Sequence, residues 1–138
     1  DALNGYQKGA CFYCFREISV VTGNPQLAEV DHFFPHVLKV SHAFKNINGV
    51  WNLVLACQSC NRGVGGKFDS IPKLQLLERL SVRNEFLISS HHPLRETLIM
   101  QTGKTQMDRF SFLQTTYNRA IEHKIHRWAP KFSFEAKF

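Results

Sequence analysis

Two pairs of cysteines with the same internal spacing constrain this chain more than any other feature. They are Cys11-Phe-Tyr-Cys14 and Cys57-Gln-Ser-Cys60, and the chain has no other cysteine. Two thiolates separated by two residues can bind one Zn²⁺ together at about 2.3 Å each, and two such pairs complete a tetrahedron with no open position. The pattern therefore predicts a structural zinc site formed by all four cysteines.

Disulfides, buried free thiols and a redox-active pair are the alternatives for these cysteines. Disulfides are typical of small secreted domains, whereas CxxC pairs inside cells usually bind metal or carry out redox chemistry. The N-terminal segment, DALNGYQKGACFYC, lacks the basic and then apolar layout of a secretory signal. We therefore expect an intracellular protein, cytoplasmic and of prokaryotic origin, whose cysteines form one closed metal site.

The distance between the two cysteine pairs is unusual. Forty-two residues separate Cys14 from Cys57, whereas a simple zinc ribbon separates its pairs by roughly 15–20 residues. The long insert contains Asp31, His32 and Asn52, which are residue types that bind metals or transfer protons. We predict that the zinc ion holds the two ends of a functional segment and contributes directly to folding.

The charge of the chain favours a polyanionic partner. Seventeen Lys and Arg residues against eleven Asp and Glu residues give a net charge of +6 and a pI near 9.4. Such a surface binds nucleic acid through phosphate neutralisation and counterion release, although an ordinary basic surface has the same composition. DNA is the expected partner. Composition does not separate a DNA-binding surface from an ordinary basic one, so the motifs have to decide.

The length suits a single domain. A chain of 138 residues can bury one core, and no stretch reaches the roughly 18 apolar residues that a membrane span requires. The first residue is Asp1 rather than methionine, which suggests a segment of a larger multidomain protein. We expect one unit over 1–138, in which 1–68 is turn-rich and contains the chemically active residues, and 69–138 is helical.

Local patterns predict the elements of each half. In the first half we expect two short strands, at Glu17–Val21 and Leu27–Phe34, and a short helix that begins near Cys57. In the second half, proline and capping signals combine with three- and four-residue apolar steps. They predict three helices, from about 69 to 89, from Pro93 to Gly103, and from Thr105 to Pro130.

The segment around Asp31 and His32 resembles a known family. The motifs Asp-His-x-x-Pro and Asn-Leu-Val-x-x-Cys-x-x-Cys-Asn, which end at Pro35 and Asn61, follow a leading CxxC pair in the order found in HNH nucleases. The resemblance covers about Cys11 to Lys67. It implies an α+β fold with a small ββα-metal core braced by zinc, which a mainly α-helical C-terminal half then packs against.

The resemblance also implies roles for individual residues. His32 becomes the general base that activates water, and its ordinary pKa of about 6.5 suits that role. Asp31 and Asn61 become ligands of a catalytic Mg²⁺ or Mn²⁺. Many relatives have histidine at the position of Asn61. Asn52 holds the loop and orients His32. Asp31 and His32 are adjacent, so on an ideal strand they point to opposite faces.

Three cations close to the site in sequence are candidate phosphate contacts. They are Arg16, Arg62 and Lys67, and Arg62 is the strongest because it directly follows Asn61. Their alternative role is ordinary solubility.

These residues together predict a DNA endonuclease that hydrolyses phosphodiester bonds, which needs a base for water and a cation at the phosphate. The resemblance implies products with 3′-hydroxyl and 5′-phosphate ends. The alternative is a zinc-stabilised nucleic-acid-binding module without catalysis. An oxidoreductase that uses one CxxC pair ranks third, because both pairs fit a single closed metal site better.

Overall fold

A short antiparallel ribbon followed by a helix forms the centre of the first half. The computed structural model describes residues 2–40 and 44–138. Strand β1 (Glu29–His32) pairs with β2 (Leu53–Ala56) in a register that places Glu29 opposite Ala56 and His32 opposite Leu53. Helix α2 (Gln58–Arg62) follows β2 almost directly and packs against β1. The three elements form a ββα unit.

The N-terminal segment covers the outer edge of β2. Helix α1 (Ala2–Gln7) ends in a buried glutamine, whose side-chain amide accepts from Leu55 N at 3.0 Å and donates to Leu55 O at 2.8 Å. Phe12 N also donates to Leu55 O, at 2.9 Å. These bonds satisfy backbone groups that a two-stranded ribbon would otherwise leave open at its edge. They also bring the first cysteine pair beside the ribbon.

The strand predicted at Glu17–Val21 does not form. Only isolated bridges occur there, between Ala10 and Glu17 and between Ser19 and Leu27. The predicted strand at Leu27–Phe34 is shorter than expected, because only Glu29–His32 pairs with β2. Val20 and Val21 are 45% and 65% exposed. Their β-branched side chains have no facing layer to pack against, and strand propensity without such packing does not make a strand.

The second half contains three helices. Helix α3 (Leu74–Ser89) buries Leu77, Leu80, Asn84 and Leu87, which recur at three- and four-residue steps. Helix α4 (Arg95–Thr102) ends before Gly103, whose φ of +141° suits a residue without a Cβ atom. The prediction that Gly103 ends this helix is confirmed.

Helix α5 (Gln106–His123) begins with a complete capping box. Thr105 and Asp108 exchange side-chain and backbone hydrogen bonds, as their spacing predicts. The predicted extension of this helix to Pro130 is wrong. Arg127–Trp128 instead forms β4, parallel to β3 (Ile71–Pro72), and this pairing also moves the start of α3 from the predicted Asp69–Pro72 region to Leu74.

Burial of Trp128 explains both of these changes. Trp128 is only 6% exposed, and its Nε1 donates to Gly65 O at 2.8 Å. Ile125, which also lies in the segment predicted as helix, is 87% exposed. Long-range burial of the indole therefore outweighs continuation of the local helical period.

The two halves share one hydrophobic cluster. Arg83 on α3 is completely buried and donates to the carbonyls of Val50, Trp51 and Leu53. Burial lowers the pKa of Arg83 to about 10. Helix α4 packs on the 3₁₀ turn Val50–Asn52 that leads into β2. The helical half therefore holds the entry to β2. Within the described residues, no helix combines the length and apolarity needed to cross a membrane.

Candidate metal centre and active site

The four cysteines converge on one point. All four are buried and none forms a disulfide. Their sulfur atoms lie within 4.8 Å of one another, and Cys14 Sγ is 3.8 Å from Cys57 Sγ. Bonds of about 2.3 Å to a tetrahedral zinc ion place sulfur atoms about 3.8 Å apart. The predicted cluster is confirmed, and its dimensions and ligand type fit a structural metal such as zinc.

In each CxxC pair, a backbone N–H group donates to the sulfur of the first cysteine. Tyr13 N donates to Cys11 Sγ at 3.4 Å, and Cys60 N donates to Cys57 Sγ at 3.4 Å. The second of these bonds is also the N-cap of helix α2. Backbone N–H donors stabilise the negative charge of a thiolate, as does the N-terminus of a helix. The cap that starts α2 therefore also supports a metal ligand.

The four thiols shift one another's pKa values in opposite directions. Contact with Cys11 lowers the pKa of Cys14 to about 7. The same partner lowers the pKa of Cys57, whereas contact with Cys14 raises that of Cys11 and contact with Cys11 raises that of Cys60. Four negative charges at this separation repel one another strongly. A divalent cation removes that repulsion, so metal binding and proton release are linked.

Asp31 lies on β1, buried between the cysteine cluster and the loop after α2. Its Oδ2 atom accepts a hydrogen bond from Tyr13 Oη at 2.6 Å and lies 3.2 Å from Lys67 Nζ. Tyr13 sits between the two cysteines of the first pair, and burial raises its pKa well above the ordinary value. Tyr13 therefore stays protonated and donates its hydroxyl hydrogen to Asp31. Its position inside the CxxC loop was the available signal, and sequence reasoning missed it.

Lys67, which the sequence suggested as a phosphate contact, lies in the protein interior. Its side chain is completely buried, and its Nζ donates to His32 O at 2.9 Å as well as pairing with Asp31. Burial lowers the pKa of Lys67, and the charge of Asp31 opposes that shift. This burial and pairing do not favour a phosphate contact, and the nucleic-acid role of Lys67 stays a prediction. The residue instead ties the loop after α2 to both Asp31 and His32.

His32 ends β1 and is half-buried. Its Nε2 lies 2.8 Å from Asn48 Oδ1, and its ring centroid is 5.1 Å from that of His36. Sequence reasoning did not select Asn48. The partners of His32 differ from the side-chain partners of Asp31, as expected for adjacent residues on a paired strand.

Asn52 fixes the backbone that follows His32. Its Oδ1 accepts from Phe34 N at 2.8 Å, and its Nδ2 donates to Phe34 O at 3.0 Å and to Ile47 O at 2.9 Å. The side chain is completely buried. The predicted role in holding the loop matches these bonds. None of these bonds joins Asn52 to the His32 ring, so the amide acts on His32 through the neighbouring backbone.

Asn61 and Arg62 connect α2 to the start of β1. Asn61 Nδ2 donates to Glu29 Oε1 at 2.8 Å, and Arg62 pairs with both oxygens of the same carboxylate. The hydrogen bond from Arg62 lowers the pKa of Glu29. Arg62 is accessible, as expected of a phosphate contact, but much of its charge is already neutralised.

Two side-chain oxygen atoms are available as ligands for a second cation. Asn61 Oδ1 and Asp31 Oδ1 have no hydrogen-bond donor among the described residues, and both are the hard oxygen type that Mg²⁺ or Mn²⁺ prefers. However, among residues 2–40 and 44–138 the four cysteines are the only group of three or more potential His, Cys, Asp or Glu ligands. Any such ion would rely on water and phosphate for most of its coordination.

Comparison with protein families, curated proteins and solved structures yields no match. Inference about function therefore depends on the contacts described above.

Arg16, the remaining predicted phosphate contact, packs against the C-terminal segment. Its guanidinium carbon is 5.2 Å from the ring centroid of Phe134. Its Nε atom is buried and has no hydrogen-bond partner. Arg16 also lines a cavity beside Cys14 and Cys60.

Proposed function

We propose that this protein is a metal-dependent endonuclease of the HNH type that hydrolyses phosphodiester bonds in DNA. One observation carries the proposal: a half-buried histidine, His32, ends the first strand of a ββα unit whose backbone is clamped by Asn52. The same unit contains Asp31 and Asn61, and the cysteine cluster braces it. Asp31 and His32 lie on β1, Asn52 lies on the 3₁₀ turn that leads into β2, and Asn61 lies on α2.

His32 is the general base in this proposal. In the assigned orientation of the Asn48 amide, Oδ1 accepts a hydrogen bond from the imidazole Nε2–H. A neutral imidazole that carries its proton on Nε2 leaves Nδ1 free to accept one. Lys67 and Asn52 hold the backbone that directly follows the imidazole, through His32 O and Phe34. The ring can therefore take a proton from a water molecule without a large reorganisation.

Asp31 and Asn61 would hold the catalytic cation through their free oxygen atoms. A bound Mg²⁺ or Mn²⁺ supplies charge neutralisation at the phosphate and at the departing oxygen. Tyr13 and Lys67 both bind Asp31 Oδ2, which fixes the carboxylate and leaves Oδ1 as its available donor.

Nicking of supercoiled plasmid tests the proposal. We expect the zinc-loaded protein to convert supercoiled into open-circular or linear DNA when Mg²⁺ or Mn²⁺ is added. His32→Ala should slow this conversion by about 100-fold or more, the range of general-base contributions. His126→Ala is the matched control, because His126 is exposed and far along the chain from the site. Absence of nicking by the wild type, or equal nicking by His32→Ala, would rule the proposal out.

The second candidate is a zinc-stabilised nucleic-acid-binding module without catalysis. It is favoured by one specific observation, the pairing of Lys67 with the carboxylate that the first proposal assigns to the cation. A buried ammonium at that position already neutralises Asp31. Retained DNA binding by the wild type, with no nicking in either metal, would select this candidate.

A further inference from the structure

A cavity of about 150 Å³ lies beside the cysteine cluster and is lined in part by Cys14 and Cys60. The start of α2, the glycine-rich loop after it and the C-terminal segment form its walls. Arg16, Lys131, Ser59 and Phe132 contribute polar or aromatic side chains. Two of the described lining residues are cations and none is an acid. The cavity is therefore a positively charged recess next to an exposed aromatic ring.

Arg16 and Lys131 differ from the other basic residues of the site. Arg62 and Lys67 are neutralised by Glu29 and Asp31, whereas no ion pair joins Arg16 or Lys131 to any acid in the described chain. The Nε atom of Arg16 is buried without a partner. That atom is closed to a ligand, but no hydrogen bond joins the two terminal nitrogens of Arg16 to any described residue, and an anionic oxygen is the acceptor that best satisfies a guanidinium.

Two phenylalanines lie at the recess, since Phe132 lines it and Phe134 contacts Arg16. Phe132 is 65% exposed and Phe134 is 46% exposed, although Phe134 N is anchored to Cys14 O at 2.7 Å. Their ring centroids are 5.5 Å apart, and the Arg16 guanidinium covers the Phe134 ring. Exposed aromatic rings beside unpaired cations are the combination that binds single-stranded nucleic acid, because bases stack on the rings while the cations bind the backbone.

We propose that this recess binds one nucleotide of a single-stranded DNA segment, with its base on Phe132 and its phosphate at Arg16 and Lys131. The site deepens the proposed nuclease function, on which its biological use rests. A single strand fits better than a duplex, since bases stacked in a duplex expose edges rather than faces. Stacking and phosphate contacts do not read base identity, so the site tolerates different sequences.

Fluorescence anisotropy of a labelled oligothymidylate of about 12 nucleotides, within the range of single-strand site sizes, tests this proposal. Zinc-loaded protein is used without Mg²⁺ or Mn²⁺, so that binding is measured separately from cleavage. Phe132→Ala should weaken binding by about 5- to 100-fold through loss of stacking. Lys131→Gln should weaken it and reduce the slope of log affinity against log salt by about 0.7.

The matched controls lie on the helical half. Phe110→Ala removes a ring of similar exposure on α5, and Lys104→Gln removes an exposed cation before α5. Both should bind the oligonucleotide like the wild type. The proposal is overturned if the wild type does not bind it, or if Phe132→Ala and Lys131→Gln bind as tightly as their controls. Failure of plasmid nicking with intact, Phe132-dependent binding would reject the nuclease and leave the strand site standing.

Discussion

Replacing Lys67 by methionine tests the most buried charge pair of the site. The side chains of Lys67 and Asp31 are 0% and 10% exposed, and their charged atoms are 3.2 Å apart. Methionine preserves length and apolar volume but removes the ammonium. The carboxylate then stays buried, with the Tyr13 hydroxyl as its one remaining partner among the described residues, and His32 O loses its Lys67 donor.

The expected loss of unfolding free energy is about 3–5 kcal/mol, the range found when one member of a buried ion pair is removed. That is a large share of the roughly 5–15 kcal/mol that stabilises an ordinary domain. Lys124→Met is the matched control, because the pair of Lys124 with Asp69 is 32% and 59% exposed. An exposed pair of this kind contributes less than about 1 kcal/mol.

Urea unfolding of the zinc-loaded proteins, followed by the fluorescence of buried Trp51 and Trp128, measures these energies. Asp31→Asn alone leaves the Lys67 ammonium buried without a counter-charge. The double variant, Lys67→Met with Asp31→Asn, removes both charges. Its loss of unfolding free energy should therefore be smaller than the sum of the two single losses by about 1–3 kcal/mol. A loss below about 1 kcal/mol in Lys67→Met, or additivity in the double variant, would refute the buried-pair argument.

The pH dependence of Asp31→Asn gives a further check on the same pair. Burial lowers the pKa of Lys67 in the folded state, below its ordinary value of 10.5. The unfolded chain then binds the proton more tightly, so stability rises with pH between the lowered pKa and 10.5. Without the Asp31 charge, the pKa of Lys67 in the folded state falls further, so this pH window extends to lower pH. The deficit of Asp31→Asn relative to the wild type should therefore shrink as pH rises through that window.

Two further predictions concern the metal cluster and the loop clamp. Zinc analysis should find one ion per chain, and Cys60→Ser or a strong chelator should lower the thermal midpoint measured by circular dichroism, since a structural zinc contributes folding energy. An unchanged midpoint in the chelated protein would contradict a structural role. Asn52→Ala removes three buried hydrogen bonds and should cost roughly 2–4 kcal/mol. Asn48→Ala removes one exposed bond and should cost less than about 1 kcal/mol, so equal losses would argue against the clamp.

The cysteine cluster was the most predictable part of the site. Each CxxC pair is a local feature, because two intervening residues already bring its thiols close together. The α+β class, the end of α4 at Gly103 and the cap of α5 were predictable for the same reason, since caps and apolar steps act over a few residues. The position of Asp31 and His32 at the end of a strand also followed from the local pattern.

Interactions between distant residues were not predictable in this way. The end of α5 depends on the burial of Trp128 against Gly65, which is distant in sequence. The strand predicted at Glu17–Val21 fails because no layer covers it. The nuclease roles of His32, Asp31 and Asn61 stay predictions that the plasmid experiment decides.

The sequence alone determined which residue types surround the site, and the tertiary structure decided what each charge does there. Asp31, Lys67, Arg62 and Arg16 are all charged residues near the cysteines in sequence, yet their environments differ. Lys67 is buried against Asp31, Arg62 is neutralised at the surface by Glu29, and Arg16 borders an open recess without an acid. Burial and counter-charge set the energy of an ion, and both depend on chain segments that only folding brings together.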